Sequence, residues 1–143
     1  MIEKFARIVV RAGMAGTVVA ASALIVSGAL AQEIRLTRSV ASSAQSLLVD
    51  ERSWDANCKP LATSVTITKQ PSNGNVTVVP AVSVIAVSTP QSASTGRCAG
   101  KSVTGNHVLY RSNPGFRGTD TLAYRVQYGN GRSATITVTI DVR

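Results

Sequence analysis

The chain is poor in the side chains that most enzymes use for acid–base chemistry. Its 143 residues include one histidine, His107, and only seven acidic residues. There is no Gly-x-Ser-x-Gly turn, and nothing in the spacing pairs His107 with Asp120 as part of a Ser-His-Asp triad. Phosphate-binding glycine motifs and histidine–cysteine metal spacings are also absent. We therefore predict no enzyme activity, no cofactor and no metal site. The alternative is an unrecognised hydrolase that uses His107 or Asp120.

Long hydrophobic runs are confined to the N-terminus. An uncharged apolar run covers residues 14–30 and ends at Ala29-Leu30-Ala31, which is typical of a signal-peptide cleavage site. Three basic residues precede it: Lys4, Arg7 and Arg11. The alternative is a retained membrane anchor, but the run is somewhat short and rich in small residues. We predict that residues 1–31 are a signal peptide, and that the protein is periplasmic or secreted without a further membrane span.

Cysteine is scarce too, and both copies, Cys58 and Cys98, follow the predicted signal peptide. In an oxidising compartment the default is a Cys58–Cys98 disulfide, and the alternative is two unpaired buried thiols. The chain-entropy model gives a closed loop of about 41 residues roughly 4 kcal/mol of stabilisation, as an upper-end value.

The apolar pattern divides the rest of the chain. Residues 32–57 are rich in serine and have only a weak helical stripe, which predicts a loose N-terminal arm. Residues 58–143 are predicted to form the domain, because apolar and polar residues alternate from Ser64 onward, as in half-buried strands. Trp54 lies near Cys58 in sequence, and we interpret it as a core plug beside the disulfide rather than as a ligand platform.

Two turns have enough sequence signal to predict strand pairing. Pro71–Gly74 is a turn cluster, and a hairpin with this four-residue loop would set Ile67 opposite Val78. In the C-terminal pair of strands, a two-residue turn would expose one apolar face, so we predict the three-residue loop Gly129–Gly131. Gly131 would take a left-handed conformation. The predicted partners are Tyr124–Ile136 and Val126–Ala134.

Two groups of residues resemble a known family. The first is the turn and strand Pro71-Ser72-Asn73-Gly74-Asn75-Val76. The second is a spaced set: Tyr110, Pro114, Gly115, Phe116, Gly118, Asp120 and Tyr124. Together they resemble the bacterial Ig-like, cadherin-like repeat domain over roughly residues 64–143. The chain departs from it in having Leu122 where the family usually has Phe, a longer segment at residues 80–100, and a single copy. The resemblance implies an all-β, Ig-like antiparallel sandwich of bacterial origin.

Individual motif residues have structural interpretations. Asp120 is predicted to cap the loop at residues 114–118 by accepting backbone N–H bonds. Calcium binding is the alternative, but calcium takes six to eight oxygen ligands and no other acid is near in sequence. Phe116 is predicted to plug the core. Tyr110 and Tyr124 are predicted to be buried, with hydroxyls that reach backbone partners.

Basic residues outnumber acidic ones, with a net charge of +8. Such a surface favours anionic partners, and we predict an anionic envelope glycan or lipid or an unknown protein; the alternative is a solvated face that maintains solubility. The candidate contacts lie in or near loops: Arg97, Lys101, Arg117 and Arg132. Nucleic acid is disfavoured by the export signal. We predict a non-catalytic binding or adhesion-type module at the bacterial cell envelope. The alternative is a structural assembly subunit that pairs through edge strands.

Overall fold

A computed structural model of the chain describes residues 32–86 and 93–143. This part folds into eight strands and one short helix: β1 Gln32–Val40, β2 Gln45–Trp54, β3 Pro60–Leu61, β4 Thr63–Lys69, β5 Gly74–Val84, α1 Ala93–Cys98, β6 Ser102–Ser112, β7 Gly118–Tyr128 and β8 Ser133–Val142. The predicted signal peptide at residues 1–31 lies outside the described residues.

The strands form two four-stranded sheets, which pack face to face. Their orders are β1-β8-β7-β4 and β3-β2-β6-β5. All pairings are antiparallel except that of β1 with β8, which is parallel. The prediction of an Ig-like β-sandwich is confirmed.

Residues 32–57 are not a loose arm, and that prediction is wrong. β1 pairs with β8 along its whole length, from Gln32 opposite Ala134 to Val40 opposite Val142. β2 pairs with β6 in the other sheet. Pairings so distant in sequence leave no local signal, and the serines that suggested mobility lie mostly at exposed or half-buried positions. The sandwich therefore includes this segment instead of starting at residue 58.

The C-terminal hairpin has the predicted register. Tyr124 pairs with Ile136 and Val126 with Ala134. The three-residue loop is closed by hydrogen bonds between Tyr128 and its two partners Arg132 and Gly131. Gly131 has a φ of 83°, in the left-handed region that glycine adopts without strain. The apolar pattern required a loop with an odd number of residues, and centring that loop on Asn130 then gave this pairing.

The predicted hairpin across Pro71–Gly74 does not exist. β4 pairs with β7, so Ile67 lies opposite Tyr124, whereas β5 pairs with β6, so Val78 lies opposite Val108. The turn therefore carries the chain from one sheet to the other. Inferring strand partners from loop length and apolar pattern is valid only for strands that are hydrogen-bonded to each other.

The turn at residues 71–74 is where the two groups of motif residues contact each other. Asp120 accepts backbone N–H bonds from Ser72 at 2.9 Å and Asn73 at 2.8 Å, and a hydroxyl bond from Tyr110 at 3.1 Å. A Cβ on Gly74 would collide with the Tyr110 ring. Asp120 is thus a structural cap, but it caps this turn and not the predicted loop at residues 114–118.

The main core lies between the two sheets. Its largest buried side chains include Tyr110 and Tyr124, each with 0% exposure. Phe116 is partly buried and packs against this core from the loop between β6 and β7. The motif residues Pro114, Gly115 and Gly118 lie at exposed positions of that loop and its junction with β7.

A second, smaller apolar cluster surrounds the Cys58–Cys98 disulfide, which is confirmed. Ile85 and Val103 are buried beside Cys98, and Trp54 packs against them. In β2, Glu51 and Ser53 are buried toward the main core, so the alternating Arg52 and Trp54 face the opposite side. The disulfide and α1 therefore cover the outer face of the second sheet at one end.

Candidate functional site

A cavity of about 310 Å³ lies at one end of the sandwich. It is formed where β1 and β8 begin and where β2 and β7 end. The polar and aromatic side chains that matter for its chemistry are Arg52, Trp54, Tyr128, Asn130, Arg132 and Ser133. The lining thus includes two arginines, two aromatic residues and residues with neutral hydrogen-bonding side chains.

Arg52 is held in place by its neighbours on the sheet surface. One guanidinium nitrogen contacts Asp50 Oδ2 at 2.9 Å, and both side chains are about four-fifths buried. An arginine has five N–H donors, and this ion pair uses only some of them. Because the side chain is already held, an N–H donor outside this ion pair would bind a ligand with little further loss of side-chain entropy.

Trp54 joins the cavity to the disulfide cluster. Its side chain is only partly buried: it lines the cavity and also packs against the cluster of Ile85, Cys98 and Val103. The interpretation of Trp54 as a plug beside the disulfide is therefore incomplete, because Trp54 is also one of the residues that line the cavity. A ring held from behind by a cross-linked cluster is a rigid contact surface.

Tyr128 connects the cavity to the interior. Its hydroxyl donates a hydrogen bond to Glu51 Oε2 at 2.6 Å, and the hydroxyl of Tyr124 donates to the other carboxylate oxygen. Burial, followed by the hydrogen bond to Glu51, raises the pKa of both tyrosines far above the ordinary value. Both hydroxyls therefore remain protonated donors at neutral pH. The partner of Tyr124 is a buried carboxylate rather than the expected backbone group.

Arg132 is placed by the turn between β7 and β8. Its carbonyl accepts from the Tyr128 N–H at 2.9 Å, and its own N–H donates to Asn130 Oδ1 at 3.0 Å. The side chain is exposed, and it makes no ion pair with any residue in the described ranges 32–86 and 93–143. Its positive charge is thus available at the mouth of the cavity.

The four candidate anion contacts do not form one surface. Arg132 follows the end of β7, whereas Arg117 precedes its start. This strand has 11 residues, so at about 3.3 Å per residue its two ends are roughly 30 Å apart. Arg97, in α1, and Lys101, just after it, are exposed beside the disulfide, at the same end as Arg132. Whether any of the four binds an anion stays a prediction.

His107 lies in a polar group on the outer face of the second sheet. Its Nε2 is 3.1 Å from Ser83 Oγ and 3.8 Å from Asp50 Oδ1. In a Ser-His-Asp triad the serine and the carboxylate contact different ring nitrogens, because one nitrogen takes the serine proton while the N–H of the other is held by the carboxylate. Here both approach the same nitrogen, so this arrangement is not a triad.

Each carboxylate oxygen of Asp120 accepts two hydrogen bonds from other groups of the protein. Burial alone would raise the pKa of this carboxyl, but hydrogen bonds from Ser72, Asn73, Thr121 and Tyr110 outweigh it and lower the pKa below its ordinary value. Within the described residues, no group of three or more His, Cys, Asp and Glu side chains is placed to hold a metal ion. The arrangement explains Asp120 as a structural residue.

A family comparison accounts for the fold and its motif. A family model described as a bacterial Ig domain matches residues 28–141, most of the chain. The chain belongs to this family. No curated protein and no solved structure matches it. Bacterial Ig domains are typically non-catalytic modules of surface or adhesion-type proteins, and they are commonly extracellular.

One further observation concerns membranes. In this bacterial Ig domain, none of the helical structure at residues 32–86 and 93–143 has the length and hydropathy needed to span a bilayer.

Sequence reasoning did not identify the cavity of this bacterial Ig domain, although it named Arg132 and Trp54 separately. Arg52 was missed because residues 32–57 were interpreted as an arm. The signal was present: Arg52 and Trp54 are two residues apart, and on a strand such residues share a face. Glu51, between them, points to the opposite face.

Proposed function

We propose that this bacterial Ig domain is an exported, non-catalytic binding module that acts at the cell envelope and holds its ligand in the end cavity. One observation supports this most directly. Arg52 and Trp54, both on β2, line one cavity with Arg132, which comes from the distant turn before β8. Pockets with a few convergent polar groups and aromatic walls are where proteins most often bind ligands.

The charge of the chain supports an anionic ligand. The sequence after residue 31 has 12 basic and 6 acidic residues, a net charge of +6, and a positive surface attracts anions from solution. Arg132 adds a charge at the cavity mouth that no described acidic side chain neutralises. Net charge alone gives weak and unspecific attraction, so a specific site must depend on where the arginine lies.

The test compares two arginines with the same charge at opposite ends of the sandwich. The purified protein and its Arg132→Glu and Arg117→Glu variants are applied to immobilised polyuronate, to phosphatidylglycerol vesicles, and to dextran and phosphatidylcholine as neutral controls. We expect retention on at least one anionic surface, and at least tenfold weaker binding for Arg132→Glu only. An equal loss in both variants, or no retention anywhere, would refute a specific site in the cavity.

A second candidate function, assembly through an edge strand, is favoured by β5. This strand lies at the edge of its sheet, and its 11 residues include no charged side chain. Val82 and Val84 are 70% and 58% exposed. Proteins usually protect long edges with charges, as β1 and β4 do here with Arg35 and Lys69. An uncharged apolar edge on a basic protein is where a second copy can approach without repulsion.

Light scattering over a range of protein concentrations tests this second candidate. We expect a monomer–dimer transition that Val82→Lys abolishes and that Thr68→Lys, the same charge on the other sheet's edge, leaves in place. A monomer at all concentrations would eliminate self-assembly and leave the binding proposal unaffected.

A further inference from the structure

We infer that the end cavity takes one unit of an acidic saccharide, with the sugar ring against Trp54 and its carboxylate or phosphate group between Arg52 and Arg132. This inference rests on the proposed binding function and adds the chemical class of the ligand. It depends on three features of the cavity lining: the two arginines, the tryptophan that also packs against the disulfide cluster, and the neutral polar residues around them.

The guanidinium groups favour an oxyanion. Arginine presents planar N–H donors that match the two oxygens of a carboxylate or a phosphate. Arg52 is fixed by its contact with Asp50 Oδ2, 2.9 Å away, whereas Arg132 is exposed on a turn. A ligand would therefore meet one rigid and one adjustable cation. Glu51, the buried carboxylate behind the cavity, has its two oxygens occupied by the hydroxyls of Tyr124 and Tyr128.

The aromatic wall favours a ring with an apolar face. Trp54 is one of the residues that line the cavity, and it is partly buried and packs against the disulfide cluster. An indole face offers a large apolar area that needs no ordering when a ligand binds. One face of a sugar ring carries mostly C–H groups and suits such a surface. A small inorganic anion would leave this wall unused.

The remaining groups suit hydroxyls. Asn130 and Ser133 line the cavity with neutral side chains that donate and accept hydrogen bonds. The volume, about 310 Å³, lies at the lower end of the range for small-molecule sites. This size fits one sugar unit better than a lipid tail or a folded peptide.

The tryptophan supplies a direct measurement, because Trp54 is the only one in the chain. The full protein is titrated with three probes: a short oligogalacturonate, mannose 6-phosphate, and a neutral oligosaccharide of the same length. We expect the fluorescence of Trp54 to change saturably with the carboxylated probe, the phosphorylated probe or both. The neutral oligosaccharide should bind at least tenfold more weakly. The two acidic probes distinguish a carboxylate from a phosphate ligand.

Three variants test whether the ligand binds in the cavity. Arg132→Gln should weaken binding of the acidic probe at least tenfold, and Arg117→Gln at the opposite end should leave it unchanged. Trp54→Phe, followed by calorimetry, should also weaken binding. If that variant does not fold, Ser133→Val tests the hydroxyl contacts instead. Equal effects of the two arginine variants would overturn the placement.

The remaining outcomes separate this inference from the proposed function. Equal affinity for neutral and acidic oligosaccharides would overturn the role of the arginines. Binding to phosphatidylglycerol vesicles without binding to any sugar would overturn the saccharide class but leave an envelope-binding module in place. No binding to any of these probes would contradict both.

Discussion

Tyr128 and Glu51 connect the end cavity to the interior of the sandwich. Tyr128 is one of the residues that line the cavity, and its hydroxyl donates a 2.6 Å hydrogen bond to the carboxylate of Glu51, which is only 4% exposed. Glu51 lies in one sheet, and the two tyrosines that bind it lie on β7 in the other. The floor of the cavity is therefore fixed by a polar contact that ties the two sheets together.

Tyr128→Phe should destabilise the fold while leaving the shape of the cavity nearly unchanged. It leaves one oxygen of a buried carboxylate without its donor, so we expect a loss of about 2 kcal/mol in the free energy of unfolding. Urea denaturation measures this loss. In a Glu51→Gln background the same change should cost clearly less, and an equal cost in both backgrounds would show that the contact contributes nothing.

Asp120→Asn should lower stability at neutral pH and remove part of the acid sensitivity. The folded pKa of Asp120 is lowered, so as pH falls the unfolded state takes up the proton first. The stabilisation is complete above the ordinary carboxyl pKa of about 4 and is lost as pH falls through the lower folded value. We expect a cost of about 2 kcal/mol at pH 7, with a smaller difference in acid.

Asp141→Asn is the matched control for this variant. Asp141 makes an ion pair with Arg143 in which both side chains are substantially exposed, so its removal should change stability by less than about 0.5 kcal/mol. Thermal melts of the three proteins across the acid range provide the comparison. An Asp120→Asn protein with the acid profile of the wild type would contradict the capping role.

Reduction of the Cys58–Cys98 disulfide should loosen the packing of α1 on the second sheet and expose Trp54. The intact mass should rise by two hydrogens on reduction. The chain-entropy model gives an upper value of roughly 4 kcal/mol for the lost stability, so the Tm should fall clearly. The fluorescence of Trp54 should shift toward that of a solvated indole. An unchanged melt would mean that the small cluster holds together without its cross-link.

Export should leave a mature chain that starts at Gln32. The predicted cleavage site ends at Ala31, and β1 begins at the next residue. The test is the mass of the protein recovered from the periplasm or the medium after bacterial expression. Recovery of a membrane-bound chain that retains residues 1–31 would favour the anchor alternative instead.

Loop length together with the apolar pattern predicted strand pairing correctly where the two strands form a hairpin within one sheet. The three-residue loop before Arg132 fixed the pairing of β7 with β8, because both strands lie in one sheet. The same argument failed at Pro71–Gly74, because a turn between two sheets has the same turn residues as a hairpin. Similarly, β1 has no local signal for its parallel pairing with β8, about 100 residues later.

The candidate site was only partly predictable for the same reason. Its residues come from β2, β7 and the turn before β8, and their convergence depends on which strands pair. Arg132 was named from its turn and Trp54 from its isolation in the sequence. Arg52 and Glu51 needed the knowledge that β2 is a strand, because only then do they face opposite sides.

The most direct test of the account is the ratio of affinities of Arg132→Glu and Arg117→Glu for an acidic glycan at physiological salt. The two variants have the same net charge, so nonspecific attraction cancels in the comparison. A specific end cavity predicts at least tenfold weaker binding for Arg132→Glu and near wild-type binding for Arg117→Glu. Equal affinities in the two variants would contradict the cavity as the binding site.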